Sequence, residues 1–175
     1  AKVGLAFGMD VVAWSPNLTD ERAAEAGVKR VDKHELFATS DVVSLHLILS
    51  DRSRHIVDAA ALAAMKPTAY LVNTSRAGLV DQAALMDALV EFRIAGAGLD
   101  VVPDGPRSAT RSGRGLDVSP EEPLTPTHTV RDPDNVTLTP HLGYVSRENF
   151  EAFYRNALEA VKAWRDGQPV RVLNG

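Results

Sequence analysis

The sequence contains no cysteine, has only 6% aromatic residues and lacks an apolar run long enough to span a bilayer. Without cysteine there is no disulfide framework, thiolate metal site or cysteine nucleophile, and a cytoplasmic location is expected. The N-terminus lacks the charged segment and apolar core of a signal peptide. A net charge of −4 disfavours nucleic-acid and anionic membrane partners, so small molecules are the expected ligands.

The 175 residues alternate short β-branched runs with Ala-rich segments of helical period, a pattern typical of a parallel sheet with crossover helices. The predicted strands are residues 10–14, 42–47, 69–72, 94–102 and 136–139, and the predicted helices are 20–26, 32–38, 58–65, 82–92 and 147–166. Thr19, Asp81 and Ser146 are placed to cap three of these helices. The continuous apolar run at 42–47 predicts a strand covered on both faces. The expected fold class is α/β with a doubly wound parallel sheet.

One segment breaks this alternation. Residues 103–114 contain two Pro, two Gly and three Arg without apolar periodicity, which predicts an exposed, inserted loop. The residues Gly-Leu-Asp-Val at 98–101 recur at 115–118, and this displacement is too short for a repeat architecture. A local insertion or duplication is the expected origin.

Ligands of open parallel sheets bind outside the carboxyl ends of the strands, so polar residues at strand ends are the first functional candidates. These candidates are Ser15, His46, Asn73, Thr74, Ser75, Arg76, Asp100 and His141.

Three of the side chains near these ends have a chemistry of interest. The guanidinium of Arg76 can clamp a carboxylate through two parallel N–H bonds, or it can pair with Asp81 at the surface. His141 can exchange a proton near neutral pH, or it can be a satisfied structural residue. Glu122, beside Glu121, can orient such an imidazole and stabilise its cation, or it can belong to a solvated turn.

Five stretches together carry a resemblance to a known family. They are VVSLHL at 42–47, LVNTSRAGLVD at 71–81, GAGLDV at 96–101, EPL at 122–124 and TPHLG at 139–143. In order and spacing they resemble the NAD-binding domain of the D-isomer-specific 2-hydroxyacid dehydrogenases. The resemblance implies a Rossmann-like fold and a hydride transfer between NAD(H) and a small 2-hydroxy or 2-oxo acid. It makes Arg76 the substrate clamp, His141 the proton donor or acceptor, and Glu122 the partner of His141.

The resemblance also implies a set of cofactor-binding residues. Those near the nicotinamide half are Thr74, Ser75, Arg76, Asp100, His141 and Gly143, and Ser15 lies near the adenine ribose. Because residues 15–19 offer neither an acidic side chain for a ribose 2′-OH nor a cation for a 2′-phosphate, NAD is favoured and NADP is left open. Asp117 is the alternative to Asp100, which we prefer because it ends the more strand-like run. No metal is required.

The expected domain organisation follows from the resemblance. Residues 1–145 would be an N-terminally truncated NAD-binding domain that lacks the first strand and the Gly-rich turn. Residues 146–175 would be a helix and tail that pack toward a substrate domain outside this sequence. A homodimer is expected. The alternatives are a non-catalytic nucleotide-sensing or protein-interaction module on the same fold, and a decayed reading frame.

Overall fold

The computed structural model of this protein describes residues 1–101 and 133–172, which fall into two units, Ala1–Pro140 and His141–Gly175. The predicted loop at 103–114, together with Asp117 and Glu122, lies outside the described residues.

The first unit alternates helices and strands, as its sequence pattern predicts. Its helices are α1 (Lys2–Ala6), α2 (Asp20–Glu25), α3 (Lys33–Thr39), α4 (Ala59–Ala64) and α5 (Gln82–Val90), with a 3₁₀ turn at Ala77–Leu79. Its strands are β1 (Val12–Ala13), β2 (Lys29–Arg30), β3 (Val42–Leu45), β4 (Tyr70–Asn73), β5 (Gly96–Leu99) and β6 (Val136–Leu138). The helices α2, α3, α4 and α5 begin where a side-chain oxygen accepts from the backbone N–H three residues on, at Thr19, Asp32, Asp58 and Asp81.

All described strands pair in parallel, which confirms the α/β class with a parallel sheet. β3, β4, β5 and β6 form a four-stranded sheet in that order, and β1 pairs with β2 in a separate two-stranded sheet. One row of the larger sheet joins Leu45, Asn73, Leu99 and Leu138. The residues that follow this row therefore stand side by side at the carboxyl edge of the sheet.

The core of the first unit lies between the larger sheet and the helices α3, α4 and α5. Fully buried Leu62, Leu71, Leu85, Leu89 and Ile94 belong to one continuous apolar cluster. At about 1.5–3 kcal/mol for each fully buried large side chain, this cluster is the main term that holds the helices on the sheet. It fixes the strands whose ends carry the candidate residues.

The structure corrects the sequence reading in three places. Residues 42–47 do not form a strand covered on both faces, because burial alternates along β3 and Val42 remains 52% exposed at the edge of the sheet. The strand β2 is not predicted, since its two residues are cationic and exposed and have no apolar pattern. The helix predicted to end at residue 92 ends at Val90, where Phe92 adopts a left-handed backbone with φ of 52°.

The second unit contains one long helix, α6 (Arg147–Arg165), which begins at Ser146 as predicted. The hydroxyl of Ser146 accepts from the backbone N–H of Asn149 at 3.2 Å. Arg171 beyond the helix bonds back to Glu159 at 2.6 Å. No helix among residues 1–101 and 133–172 is both long and apolar enough to cross a membrane.

Candidate functional site

The candidate site is built on the carboxyl edge of the four-stranded sheet. The register joins Leu45, Asn73, Leu99 and Leu138, so the next row consists of His46, Thr74, Asp100 and Thr139. All four side chains carry a polar group, whereas the core row before them is apolar except for Asn73. Parallel pairing thus gathers groups from distant parts of the sequence along one rim, as expected for a ligand site of an open sheet.

Asp100 is the most buried of the polar side chains on this rim, with 4% of its surface exposed. Its carboxylate accepts a hydrogen bond from the hydroxyl of Thr139 at 2.6 Å. Its backbone N–H donates to the carbonyl of Asn73 at 3.0 Å, so the position of the residue is fixed by the sheet. A buried carboxylate is costly unless donors stabilise it, and the Thr139 hydroxyl is one such donor.

The turn that carries Arg76 is organised by a buried amide. The side chain of Asn73, only 1% exposed, accepts from the backbone N–H of Ser75 at 3.0 Å and donates to the carbonyl of Arg76 at 2.9 Å. The hydroxyl of Ser75 donates to the carbonyl of Leu47, beyond β3, at 2.7 Å. The turn from Asn73 to Arg76 is therefore bonded both to itself and to the segment that follows the neighbouring strand, which restricts where the Arg76 side chain can emerge.

The Arg76 side chain is exposed, and its Nη1 donates to the carbonyl of Ser75 at 2.7 Å. A guanidinium has five N–H donors, so this bond leaves ample capacity for a carboxylate ligand. Asp81, the alternative partner considered from sequence, instead accepts from the backbone N–H of Ala84 as the cap of α5. Thr74, between the buried Asn73 and Ser75, is exposed on the same turn.

His46 at the outer end of the rim is engaged locally. Its Nε2 lies 3.0 Å from the hydroxyl of Ser44, two residues earlier on the exposed side of β3. This hydrogen bond is local, because it joins residues that are two positions apart in the sequence.

Ser15 lies two residues beyond β1, which is one strand of the two-stranded sheet. It is half-buried, and its carbonyl accepts from the N–H of Leu18 at 3.2 Å in the turn before α2. The pairing of β1 with β2 brings the cations Lys29 and Arg30 beside this strand. Each of them lies close to a carboxylate, Lys29 at 3.3 Å from Glu35 and Arg30 at 3.5 Å from Asp20.

His141 and Gly143 begin the second unit. His141 is half-buried with a left-handed backbone (φ of 56°), a conformation that a residue with a side chain seldom adopts. Its ring meets the ring of Tyr144 edge-on, with the centroids 5.6 Å apart. Gly143 lies within the turn that the N–H of Val145 closes on the carbonyl of Leu142 at 2.9 Å. Backbone outliers of this kind cluster at functional sites, so the conformation of His141 is a reason to consider it a functional residue.

The structure gives specific roles to two residues, Asn73 just before the rim and Thr139 on it, that the sequence did not predict. Asn73 is a strand-end candidate, but its bonds to Ser75 and Arg76 are not readable from composition or spacing. Thr139 reads as the last residue of a strand, and nothing in the sequence links it to Asp100, 39 residues earlier. Among residues 1–101 and 133–172, no group of three His, Asp or Glu side chains is arranged to hold a metal ion.

Comparison with known proteins identifies what this fold and rim are similar to. Residues 1–143 match the family described as "D-isomer specific 2-hydroxyacid dehydrogenase, NAD binding domain". A glyoxylate reductase of Aeropyrum pernix is 35% identical over 175 residues, which cover 99% of this chain and 47% of that protein. The chain spans about half the length, or less, of the curated relatives it matches.

Solved structures agree with the sequence matches. A phosphoglycerate oxidoreductase from Vibrio cholerae is 34% identical with a TM-score of 0.79, over 95% of this chain and 48% of its own. The NAD-complexed form of a D-isomer specific 2-hydroxyacid dehydrogenase from Lactobacillus delbrueckii ssp. bulgaricus is 29% identical with a TM-score of 0.73, over 98% of this chain and 50% of its own.

Proposed function

We propose that this chain, which belongs to the D-isomer specific 2-hydroxyacid dehydrogenase family, is the NAD-binding part of an enzyme that interconverts a D-2-hydroxy acid and its 2-oxo acid. The family match assigns NAD as the cofactor. The observation that carries the proposal is the polar rim at the carboxyl edge of the sheet, where a buried carboxylate stands beside a turn bearing an exposed arginine.

The described residues fit a nicotinamide dinucleotide at this rim. The buried Asp100 carboxylate is an acceptor suited to the N–H groups of a carboxamide, and the turn that bears Thr74 and Ser75 lies on the adjacent strand end. We assign Thr74, Ser75, Arg76, Asp100, His141 and Gly143 to the nicotinamide half. Ser15 is assigned to the adenine ribose. We propose NAD as the preferred dinucleotide because residues 15–19 offer no cation for a 2′-phosphate. Lys29 and Arg30, which form exposed ion pairs beside β1, are cations of the kind that a 2′-phosphate uses, so NADP is left open.

The reduction of a 2-oxo acid needs a hydride at the carbonyl carbon, a proton at the carbonyl oxygen and a cation for the carboxylate. A bound NADH would supply the hydride and would be oxidised to NAD⁺. Arg76 would hold the substrate carboxylate by parallel N–H bonds and polarise the carbonyl. His141 would donate the proton to the carbonyl oxygen, and Glu122 would orient and stabilise its imidazolium.

A further part of the proposal concerns the second unit and assembly. The helix α6 presents large apolar side chains to solvent, with Trp164 at 75% exposure and Phe153 and Leu158 also exposed. These support packing of residues 146–175 toward a substrate domain. We also propose a homodimer and a cytoplasmic location, the latter supported by the absence of cysteine. Analytical ultracentrifugation over a concentration series tests the dimer.

The cofactor proposal is tested by calorimetric titration with NADH and with NADPH. One sample is the chain itself, and the other is a chimera in which it replaces the matching part of the Aeropyrum pernix glyoxylate reductase. Binding of NADH with a preference over NADPH in either sample supports the proposal. If neither sample binds a dinucleotide, the dehydrogenase proposal fails, and the interaction-module reading takes its place.

The substrate role of Arg76 is tested in the same chimera by turnover of glyoxylate with NADH. Loss of a charged hydrogen-bonding partner costs about 2–5 kcal/mol, so Arg76→Ala should lower kcat/KM by about 30-fold or more. Arg76→Lys retains the charge but not the paired N–H geometry, so its kcat/KM should lie between those of the parent and Arg76→Ala. An Arg76→Ala chimera that turns over like the parent contradicts the assignment.

A further inference from the structure

The hydrogen bond between Thr139 and Asp100 joins the ends of two neighbouring strands. Leu99 of β5 is in register with Leu138 of β6, so Asp100 and Thr139 are the first residues beyond the paired segment. The N–H of Thr139 donates to the carbonyl of Leu99 at 3.0 Å, and its hydroxyl donates to the Asp100 carboxylate at 2.6 Å. Two bonds from one residue thus tie these strand ends together.

The geometry of this contact favours a fixed orientation of the carboxylate. A distance of 2.6 Å lies in the range of hydrogen bonds from a hydroxyl to a carboxylate, which are about twice as strong as neutral ones. The β-branched side chain of threonine restricts χ1, and the backbone bond to Leu99 fixes its Cα. Asp100 is buried while Thr139 is exposed, so the bond joins a buried carboxylate to a residue at the surface of the rim.

We propose that Thr139 is a positioning residue for the cofactor: its hydroxyl orients the Asp100 carboxylate as an acceptor for the nicotinamide end of the dinucleotide. This inference rests on the proposed function, because it takes Asp100 as a cofactor-binding residue. Preorganisation of an acceptor lowers the cost of binding without adding a contact to the ligand. Thr139 itself does not need to touch the dinucleotide.

The test compares Thr139→Val, which removes the hydroxyl at nearly constant shape, with Thr139→Ser, which retains it. The probes are NADH and ADP-ribose, which share the adenine, ribose and pyrophosphate groups and differ in the nicotinamide. Thr139→Val should raise the Kd for NADH about tenfold, because the loss of a hydrogen bond to a charged group typically changes an equilibrium constant by about that factor or more. Thr139→Ser should stay within about twofold of the parent, and the Kd for ADP-ribose should stay within about twofold in both variants.

The measurement uses the chain and the same chimera, since the proposed function is tested in both. Equal weakening of NADH and ADP-ribose by Thr139→Val would indicate a merely structural role and overturn the inference. Unchanged NADH binding by Thr139→Val would also overturn it, while the proposed function would stand. If neither parent sample binds NADH, the proposed cofactor site fails and the inference fails with it.

The exposed position of Thr139 makes a folded valine variant the expectation. Thr139→Ala removes the same hydroxyl with less apolar surface and provides a second variant if the valine protein does not fold. A double-mutant cycle with Asp100→Asn adds an independent readout. Thr139→Val should have less effect on NADH binding in the Asp100→Asn background than in the parent, because its proposed action passes through that carboxylate. Equal effects in both backgrounds contradict the inference.

Discussion

The end of helix α5 offers a test in which the sign of an effect, not only its size, is at stake. The N–H of Phe92 donates to the carbonyl of Leu89 at 3.2 Å, and the N–H of Arg93 donates to the carbonyl of Ala88 at 2.8 Å. This pair of bonds closes a helix with one left-handed residue, a position that glycine usually occupies. Phe92 holds it here with φ of 52° and with 68% of its surface exposed.

Two other helices of the protein end in the same way with glycine. Gly27 after α2 and Gly167 after α6 both have φ of 73°, and in each case the N–H of the glycine and the N–H of the next residue donate the same pair of backbone bonds. The left-handed conformation costs a residue with a Cβ about 1–2 kcal/mol, whereas glycine costs about 0.4–1 kcal/mol through the greater freedom of its unfolded chain. Glycine at position 92 should therefore be more stable than alanine by about 0.5–1 kcal/mol.

The assay compares Phe92→Gly with Phe92→Ala, so that loss of the ring is common to both. The matched control is the same pair at Asp87, an exposed position within α5 where alanine should be more stable than glycine by about 0.8–1 kcal/mol. Free energies of unfolding are obtained from urea titrations, and the thermal midpoints should differ by roughly 1–4 °C. A free energy of unfolding for Phe92→Ala equal to or above that of Phe92→Gly, with the Asp87 pair behaving as expected, would show that the left-handed backbone at position 92 does not favour glycine.

Three further predictions concern packing, the Arg76 turn and pH. A Cβ at Gly96 would overlap the backbone carbonyl of Asn135, whereas a Cβ at Gly98 would make only ordinary contacts. Gly96→Ala should therefore destabilise the fold by about 1–3 kcal/mol, and Gly98→Ala should destabilise it by much less. Equal urea midpoints for the two variants would contradict this. Asn73→Asp keeps the acceptor for the N–H of Ser75 but loses the amide donor to the carbonyl of Arg76. It should lower the free energy of unfolding by about 1–3 kcal/mol. An unchanged free energy of unfolding at pH 7 would show that this bond is dispensable. The backbone N–H of Ala61 and the nearby Lys33 lower the pKa of Asp58 in the folded protein. The carboxylate therefore stabilises the fold above about pH 4, and this contribution is lost as the pH falls through the folded pKa. Asp58→Ala should lower the free energy of unfolding by about 1 kcal/mol at pH 7, and in urea titrations near pH 3 the difference from the parent should shrink.

Local signals in the sequence were sufficient for the helices α2 to α6 and for most strands, whereas α1 and β2 were not predicted. The caps at Thr19, Asp81 and Ser146 are predicted from residue type and position, and all three are confirmed. They are predictable because a cap bonds to an N–H only three residues away. The parallel α/β class is likewise predictable, since the alternation of apolar runs and helical segments is a property of the chain itself.

The candidate residues at the strand ends were also readable from the sequence. Arg76 lies four residues after the predicted strand 69–72 and Asp100 lies within the predicted strand 94–102, and the carboxyl ends of parallel strands share an edge. Their types, together with the resemblance to a family, gave a chemical hypothesis. The functional roles of these residues remain predictions for the experiments above.

Only the tertiary structure decided which groups meet along that edge. The partnership of Thr139 with Asp100 depends on the register of β5 and β6, and the role of Asn73 in the Arg76 turn depends on its burial. The pairing of β2 with β1 and the exposed face of β3 likewise follow from which strands are neighbours. The sequence alone determined the local elements, because their hydrogen bonds close within a few residues. The long-range contacts were decided by the packed sheet, because they join residues whose separation along the chain carries no signal of their proximity in space.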